Sequence, residues 1–395
     1  MADLVLDPYS YAFHEDPYPT YARLRAEAPV YRNDELGFYA LSRHADVVAA
    51  FGDAARLSSK DGPSADRHAT GPHAERTASF LAMDDPRHGR LRGLVSRGFT
   101  PRRVAELEPR IRELTRTHLA AALDGDTFDF IGDLAGRLPM DVISELLGVP
   151  QADRDDLRRM ADTLVHRDEG VNDVPPAALD AAIGLFTYYD AMVADRRQHP
   201  TDDLTSAVLA AEVDGDRLSH EEVTGFLFLM VVAGNETTTK LLGNAWFWAW
   251  RNPDERAKPF ADADAVPAWV EEALRYDTSS QILARTAVTD IELHDQVIPD
   301  GARVLLLPGS ANRDAAVFPD GDEFRIGRDT SDMASFGFGR HFCLGAAMAR
   351  LEARVCLDEL VKAVDTYDID ADAAVRVHSV NVRGFASLPS KVTPR

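Results

Sequence analysis

Ten residues near the C-terminal end, Phe336-Gly337-Phe338-Gly339-Arg340-His341-Phe342-Cys343-Leu344-Gly345, constrain this chain more than any other stretch. Two glycines two positions apart permit a tight turn and a close backbone approach. A cysteine follows, and Leu344, Met348, Leu351 and Val355 recur at helical spacing after it. That spacing predicts a helix from about Leu344 to Val364, with Cys343 at its start. A thiol there sits beside free backbone N–H groups and the positive end of the helix dipole. Both favour thiolate over thiol. Two uses of such a thiolate are open. A nucleophile needs a base, and His341 is two residues away. A metal ligand needs none, and a lone thiolate can be the axial ligand of haem iron. The other cysteine, Cys356, lies thirteen positions on, in mid-helix, where a free thiol behaves as a small buried hydrophobe. Two cysteines exclude a disulfide framework and an all-thiolate zinc site.

A second segment disagrees with its own surroundings. Ser219 to Trp250 reads as one long helix, opened by Ser219-His220-Glu221-Glu222 at capping-box spacing. Its middle, Ala233-Gly234-Asn235-Glu236-Thr237-Thr238-Thr239, holds three modest helix formers and an acid that costs desolvation. Gly234 costs about 1 kcal/mol relative to Ala. Such a conflict marks a functional site or a solvent-facing turn. Two charged pairs are also spaced for helix faces. His88 and Arg92 stand at i and i+4 after Asp84-Asp85-Pro86, and Glu272 and Arg275 at i and i+3. Alone, they read as a basic surface helix and an ordinary helix ion pair.

The 395 residues are 45% hydrophobic and 27% charged, the balance of a globular protein. A net charge of −22 opposes binding to nucleic acid or anionic lipid. No signal peptide is visible, and the most apolar window, Phe226 to Ala233, is far short of the ~20 residues that span a bilayer. Helices are expected at His44–Phe51, Leu107–Leu123, Met140–Leu147 and Val266–Tyr276. A polar break falls at 167–176 and a long loop at 58–77. Strands are expected at Gly37–Leu41, and at Asp290–Leu293 and Val304–Leu307 flanking a turn at Pro299-Asp300-Gly301. A hairpin is expected between Val375 and Val392. With no repeat or linker, the order favours one mixed, mainly α domain over 1–395.

The segment Phe336–Gly345 resembles the haem-binding signature of the cytochrome P-450 monooxygenases, and three further motifs follow the family's order. The resemblance, from about Asp16 to Pro389, implies a mainly α fold with small β-sheets, a single triangular haem domain. It implies haem b (iron protoporphyrin IX) with Cys343 as the proximal iron ligand. Ala233–Thr239 resembles the oxygen-activation motif, with Glu236 as the acid that relays protons and Thr237 as the alcohol beside the dioxygen site. Thr238 is the register alternative, and Leu229, Val232 and Ala233 would line the substrate pocket. His88, Arg92, Arg285 and His341 match haem propionate contacts. Glu272 and Arg275 match the family's ion-pair motif, with Arg328 as third member. Where the family often has Pro-Val after this helix, this chain has Ser279-Ser280. The neighbouring Gln281 and Ile282, and Asn381 of the C-terminal hairpin, correspond to pocket positions, as do the loop 58–82 and the break near 163–176.

The function implied is a haem-thiolate monooxygenase that hydroxylates or epoxidises a mainly hydrophobic small molecule, such as a terpenoid, steroid, macrolide or peptide-derived metabolite. It would use O2 and electrons from a separate ferredoxin and ferredoxin reductase, in the cytoplasm, with no membrane or nucleic-acid partner. Candidates for a basic docking face are Arg97, Arg102, Arg103, Arg340, Arg350 and Arg354. A haem-thiolate carrier or sensor without turnover is the alternative, though it has no need of Glu236 and Thr237. A cysteine hydrolase using Cys343 and His341 is a third reading.

Overall fold

The longest element, His220–Arg251, organises the rest. Ser219 accepts from the backbone N–H of Glu222, and Glu222 reaches back to the backbone of Ser219, so the expected capping box forms. The computed structural model describes residues 4–66, 69, 71, 73–125, 127–213 and 215–395. Eight helices carry the argument: α1 Arg87–Val95, α2 Glu108–Ala122, α3 Arg137–Leu147, α4 Arg154–Val165, α5 Pro176–Gln198, α6 His220–Arg251, α7 Val266–Tyr276 and α8 Ala346–Ala363. Helix α6 runs through the middle and packs on α3, α4, α5, α7 and α8. Among the described residues no helix is long and apolar enough to cross a membrane.

Two hydrophobic cores share α6 between them. Its first half, to Val231, packs with side chains of α1, α3, α4 and α5. Its second half, from Leu241, packs with α2, α7 and α8, and Cys356 lies fully buried in this second core. The polar stretch that conflicts with the helix falls between the two cores.

A five-stranded sheet is built from β1 Val30–Asn33, β2 Phe38–Leu41, β3 Leu57–Ser58, β4 Leu283–Ala287 and β5 Arg303–Leu306, in the order β1-β2-β5-β4-β3. Both expected strands form here, but they do not pair with each other: Ile291–Leu293 pairs with Gln296–Ile298 across a turn at His294 and Asp295. Strand β5 pairs instead with β4, which sequence pattern did not single out. Both central residues of that turn have positive φ, 49° and 60°, whereas the turn seen in the sequence was the glycine-bearing one. The C-terminal hairpin forms between Val375–Arg376 and Phe385–Ser387.

Two buried charge clusters tie these layers together. Arg275 forks onto Glu272 at 2.7 and 2.8 Å, both fully buried, and also donates to the carbonyls of Asn312, Gly321 and Glu323. Arg328 Nε lies 3.6 Å from the same carboxylate. This arrangement fixes the long irregular stretch that leads to Cys343. The second cluster was not visible in the sequence. Asp277, buried just after α7, accepts from Tyr18 Oη (2.6 Å), Trp248 Nε1 (2.8 Å) and Arg383 Nε (2.7 Å), with Arg376 at 3.6 Å. Burial alone would raise its pKa, but Arg383, Arg376 and the hydrogen bonds bring it down to about 2.

Removing that carboxylate leaves two buried arginines without their counter-charge. Asp277→Asn is expected to lower the unfolding free energy by about 3–5 kcal/mol at neutral pH. As pH falls from about 4, where an unfolded Asp begins to bind its proton, towards about 2, the native advantage of Asp277 is lost. The deficit of the variant therefore shrinks over that window. Urea midpoints measured against pH check this; a variant as stable as the parent at pH 7 would contradict it.

Candidate active site

The loop before α8 is shaped by its glycines. Gly337 and Gly339 have φ of 65° and 69°, and a Cβ on Gly339 would lie 3.2 Å from the carbonyl of Phe51. The backbone N–H of Cys343 donates to the carbonyl of Phe336 (2.9 Å), which closes the loop and turns the thiol into a large internal cavity. The exposure of Cys343 is to this cavity, not to the outer surface. Helix α8 begins at Ala346, two residues later than expected. Position alone does not make the thiol acidic. Burial pushes it up, and the backbone N–H groups of Gly345 and Ala346, with Arg92 and Arg350, only partly oppose this. A coordinated cation would deprotonate it outright.

Arg92, Arg285 and His341 line one edge of the cavity, and His88 packs beside His341 with ring centroids 4.1 Å apart. Helix α1 brings in His88 and Arg92 one turn apart, β4 brings Arg285, and the glycine loop brings His341. The two imidazoles are neutral donors, not the cations expected. Burial and the nearby Arg285, His88 and Arg92 lower His341 to about 3; burial and Arg92 lower His88 too. Burial brings Arg285 down to about 10, so it stays charged at neutral pH. Among the described residues neither arginine has a carboxylate partner: Arg92 donates to the carbonyl of Phe342 and Arg285 to that of Ala284. His88 Nε2 and Arg92 Nη1 are buried with no hydrogen-bond partner among the described residues.

The opposite wall is α6. Leu229, Ala233, Gly234, Thr237 and Thr238 face the cavity, and Thr237 Oγ1 donates to the carbonyl of Ala233 (2.7 Å). Val232 and Glu236 do not line it. They lie on another stripe, at successive turns with Lys240, because each residue turns the helix by about 100°. Glu236 is fully buried, 3.2 Å from Lys240 Nζ, and accepts from Asn235 Nδ2. Burial would raise it, but Lys240, a hydrogen bond to Asp162 and Arg158 hold it below the ordinary carboxylate range.

Gln281, Ile282 and Asn381 also lie away from the cavity. Successive strand residues face opposite sides, so Leu283 and Arg285 look into it while Ile282 and Ala284 pack with Tyr18 and Tyr21 on the far face. Gln281 donates to the carbonyl of Thr278 (2.8 Å), and Asn381 to that of Ile282 (3.0 Å). Their places are taken by Ser279, Ser280 and Leu283, and by Pro63, Phe80 and Leu81 of the expected loop. Residues 67, 68, 70 and 72 of that loop lie outside the described residues. No periodicity in the sequence marks Phe80 or Leu81, because they sit on a short irregular turn.

The expected basic face is largely compensated. Arg102 pairs with Glu106, Arg340 with Asp85, Arg350 with Glu271 and Arg354 with Glu108. The side chain of Arg97 lies outside the described residues.

The cavity has mostly apolar walls. It carries a thiol on one wall, unpartnered cationic and imidazole donors at one edge, and open space where a Cβ on Gly345 would point. This donor set fits a flat, apolar, iron-bearing macrocycle with acidic side arms, as haem is.

The comparisons agree. A family model described as cytochrome P-450 matches residues 184–369. Cytochrome P-450 123 of Mycobacterium tuberculosis is 58% identical over 394 residues, spanning 100% of this chain and 98% of that protein. A vitamin D(3) 25-hydroxylase from Pseudonocardia autotrophica is 39% identical over 399 residues, covering 98% of this chain and 97% of its own. The solved structure of a cytochrome P-450 from Chondromyces apiculatus matches with a TM-score of 0.90 at 36% identity, over 99% of this chain and 98% of that one. With its glycine-shaped cysteine loop, its donor-lined cavity and this full-length similarity, the chain belongs to the cytochrome P-450 family of haem-thiolate monooxygenases.

Proposed function

We propose that this monooxygenase, a single domain over 1–395, uses haem b held by Cys343 to hydroxylate or epoxidise a mainly hydrophobic small molecule. The observation that carries the reading is one apolar cavity with the thiol of Cys343 and the unpaired donors of His88 and Arg92 in its surroundings. When bound, haem supplies the activation of O2 that puts one oxygen atom into the substrate and releases the other as water.

The chain's residues divide the remaining work. Arg92 and Arg285 provide fixed positive charge for the two propionates, and His88 and His341 provide ring N–H donors. Glu272, Arg275 and Arg328 hold the stretch that presents Cys343. Thr237 Oγ1 has its proton on the carbonyl of Ala233, so to donate into the cavity it must leave that carbonyl, while its lone pairs are free to accept. Glu236 holds a buried carboxylate one residue from Thr237, beside Lys240 Nζ and the carboxyl of Asp162. Asp162, pushed up by burial and by Glu236, holds the proton of this pair on the side of α6 away from the cavity.

Leu229, Ala233, Leu283 and Phe80 give the substrate an apolar bed, with Ser280 and Thr238 as the nearby hydroxyls. One relative is named for vitamin D(3), and a structure from Bacillus megaterium holds testosterone. A rigid terpenoid or steroid-like skeleton suits the same kind of wall. Electrons come from a ferredoxin and its reductase in the cytoplasm.

Compounds that shift the Soret band, found by screening steroids, terpenoids and macrolides, are to be turned over under 18O2 with a surrogate ferredoxin and reductase. One labelled oxygen atom in the product is expected; product without label would contradict the reading. Arg285→Ala is expected to weaken haem retention by roughly ten- to a hundredfold in transfer to apomyoglobin, since a charged hydrogen bond contributes about 1.5–3 kcal/mol. An unchanged transfer rate would remove Arg285 from the propionate site.

A further inference from the structure

Ser279 occupies the first of the two positions where this chain departs from the family's usual Pro-Val. The segment it belongs to leaves α7 and is clamped on both sides. The carbonyl of Asp277 accepts from Asn244 Nδ2 of α6 (2.8 Å), the carbonyl of Ser279 accepts from the backbone N–H of Arg383 (2.8 Å), and Ser280 bridges Val382. From this braced segment Ser279 Oγ donates to the carbonyl of Thr237 at 2.7 Å. Ser279 is 5% exposed, and both residues line the cavity.

A hydroxyl has one proton to donate, and a carbonyl has two lone pairs, so Thr237 can accept this bond beside its place in the helix. The peptide of Thr237 is thereby fastened to the wall opposite α6. Its side chain is fastened too, through Oγ1 to the carbonyl of Ala233 (2.7 Å). A proline at 279 has no hydroxyl to offer, so this link belongs to the residue that departs from the pattern.

We propose that Ser279 is a positioning residue for the oxygen side: its hydroxyl holds the Thr237 peptide against the cavity wall and so sets where Thr237 Oγ1 stands. The proposal rests on the reading of Thr237 as the alcohol beside the dioxygen site. Side chains inserted into a helix ladder bend it locally, and misplacement of a reacting group by about 1 Å can cost about a hundredfold in rate. Ser279 acts through Thr237 and need not touch substrate.

The test uses the full-length, haem-loaded protein as parent, Ser279→Ala, Ser279→Thr and Thr237→Ala. The readout is the infrared stretching band of carbon monoxide on the reduced protein, which senses the polar groups facing it and needs neither substrate nor turnover. Ser279→Ala is expected to shift or split the band, and Ser279→Thr, which keeps the donor, to restore the parent position. A parent-like band in Ser279→Ala, with a moved band in Thr237→Ala, overturns the proposal and leaves the reading of Thr237 standing. A parent-like band in Thr237→Ala overturns that reading and the proposal with it. Should Ser279→Ala fail to load haem, Ser279→Cys keeps the size but only a weak donor and is expected to move the band in the same way; a parent-like band there also overturns the proposal.

Discussion

Arg92 and Arg285 are drawn towards the protein interior without a carboxylate ion-pair partner among the described residues, and burial with these arginines lowers the imidazoles beside them. Buried charge of one sign is unfavourable unless it is paired. The protein therefore places an uncompensated cationic edge on an otherwise apolar cavity. An acidic, flat, apolar group is what neutralises the edge and fills the walls together. The rest of the structure serves to hold that edge and the thiol of Cys343 in one frame. Helix α1, strand β4 and the glycine loop each deliver part of it, and the Glu272–Arg275 pair steadies the stretch that carries the loop.

Helix α6 joins the two halves of this frame. Its capping box and apolar ends make it stable enough to carry a poor helical sequence in its middle. That middle lies where the two hydrophobic cores part, and the cavity opens there. The helical twist then sorts neighbouring polar residues: Thr237 turns to the cavity, while Glu236 turns to Lys240 and α4. The acid is shielded from the cavity and sits beside Lys240 and Asp162. Ser279 holds the backbone at the point where the two directions divide.

Much of this was legible in the residues. The glycine spacing and the helical pattern after Cys343 located the cysteine loop, and the clash of Gly234, Glu236 and Thr237–Thr239 with their own helix located the opposite wall. The periodicity of α7 gave its ends at Val266 and Tyr276. What stayed hidden depends on distant partners. Asp277 reads as an ordinary acid at a helix end until Arg376 and Arg383, about a hundred residues on, meet it in the core. The resemblance implies Gln281 and Ile282 in the pocket, but strand alternation and Asn381 turn them to the other face. The acidity expected of Cys343 from its helix start is outweighed by burial, which depends on everything packed around it. The arginines expected to form a docking face are mostly paired with carboxylates from other elements, which local charge counting does not see.

The central claim is that the thiolate of Cys343 holds the haem iron. The most direct measurement is the absorption spectrum of the reduced, carbon monoxide-bound protein, for the parent and for Cys343→Ala. The parent is expected to show the long-wavelength Soret band that gives the family its name, and Cys343→Ala to lose that band while remaining folded. A parent without haem, or a Cys343→Ala protein that keeps the band, would contradict the account.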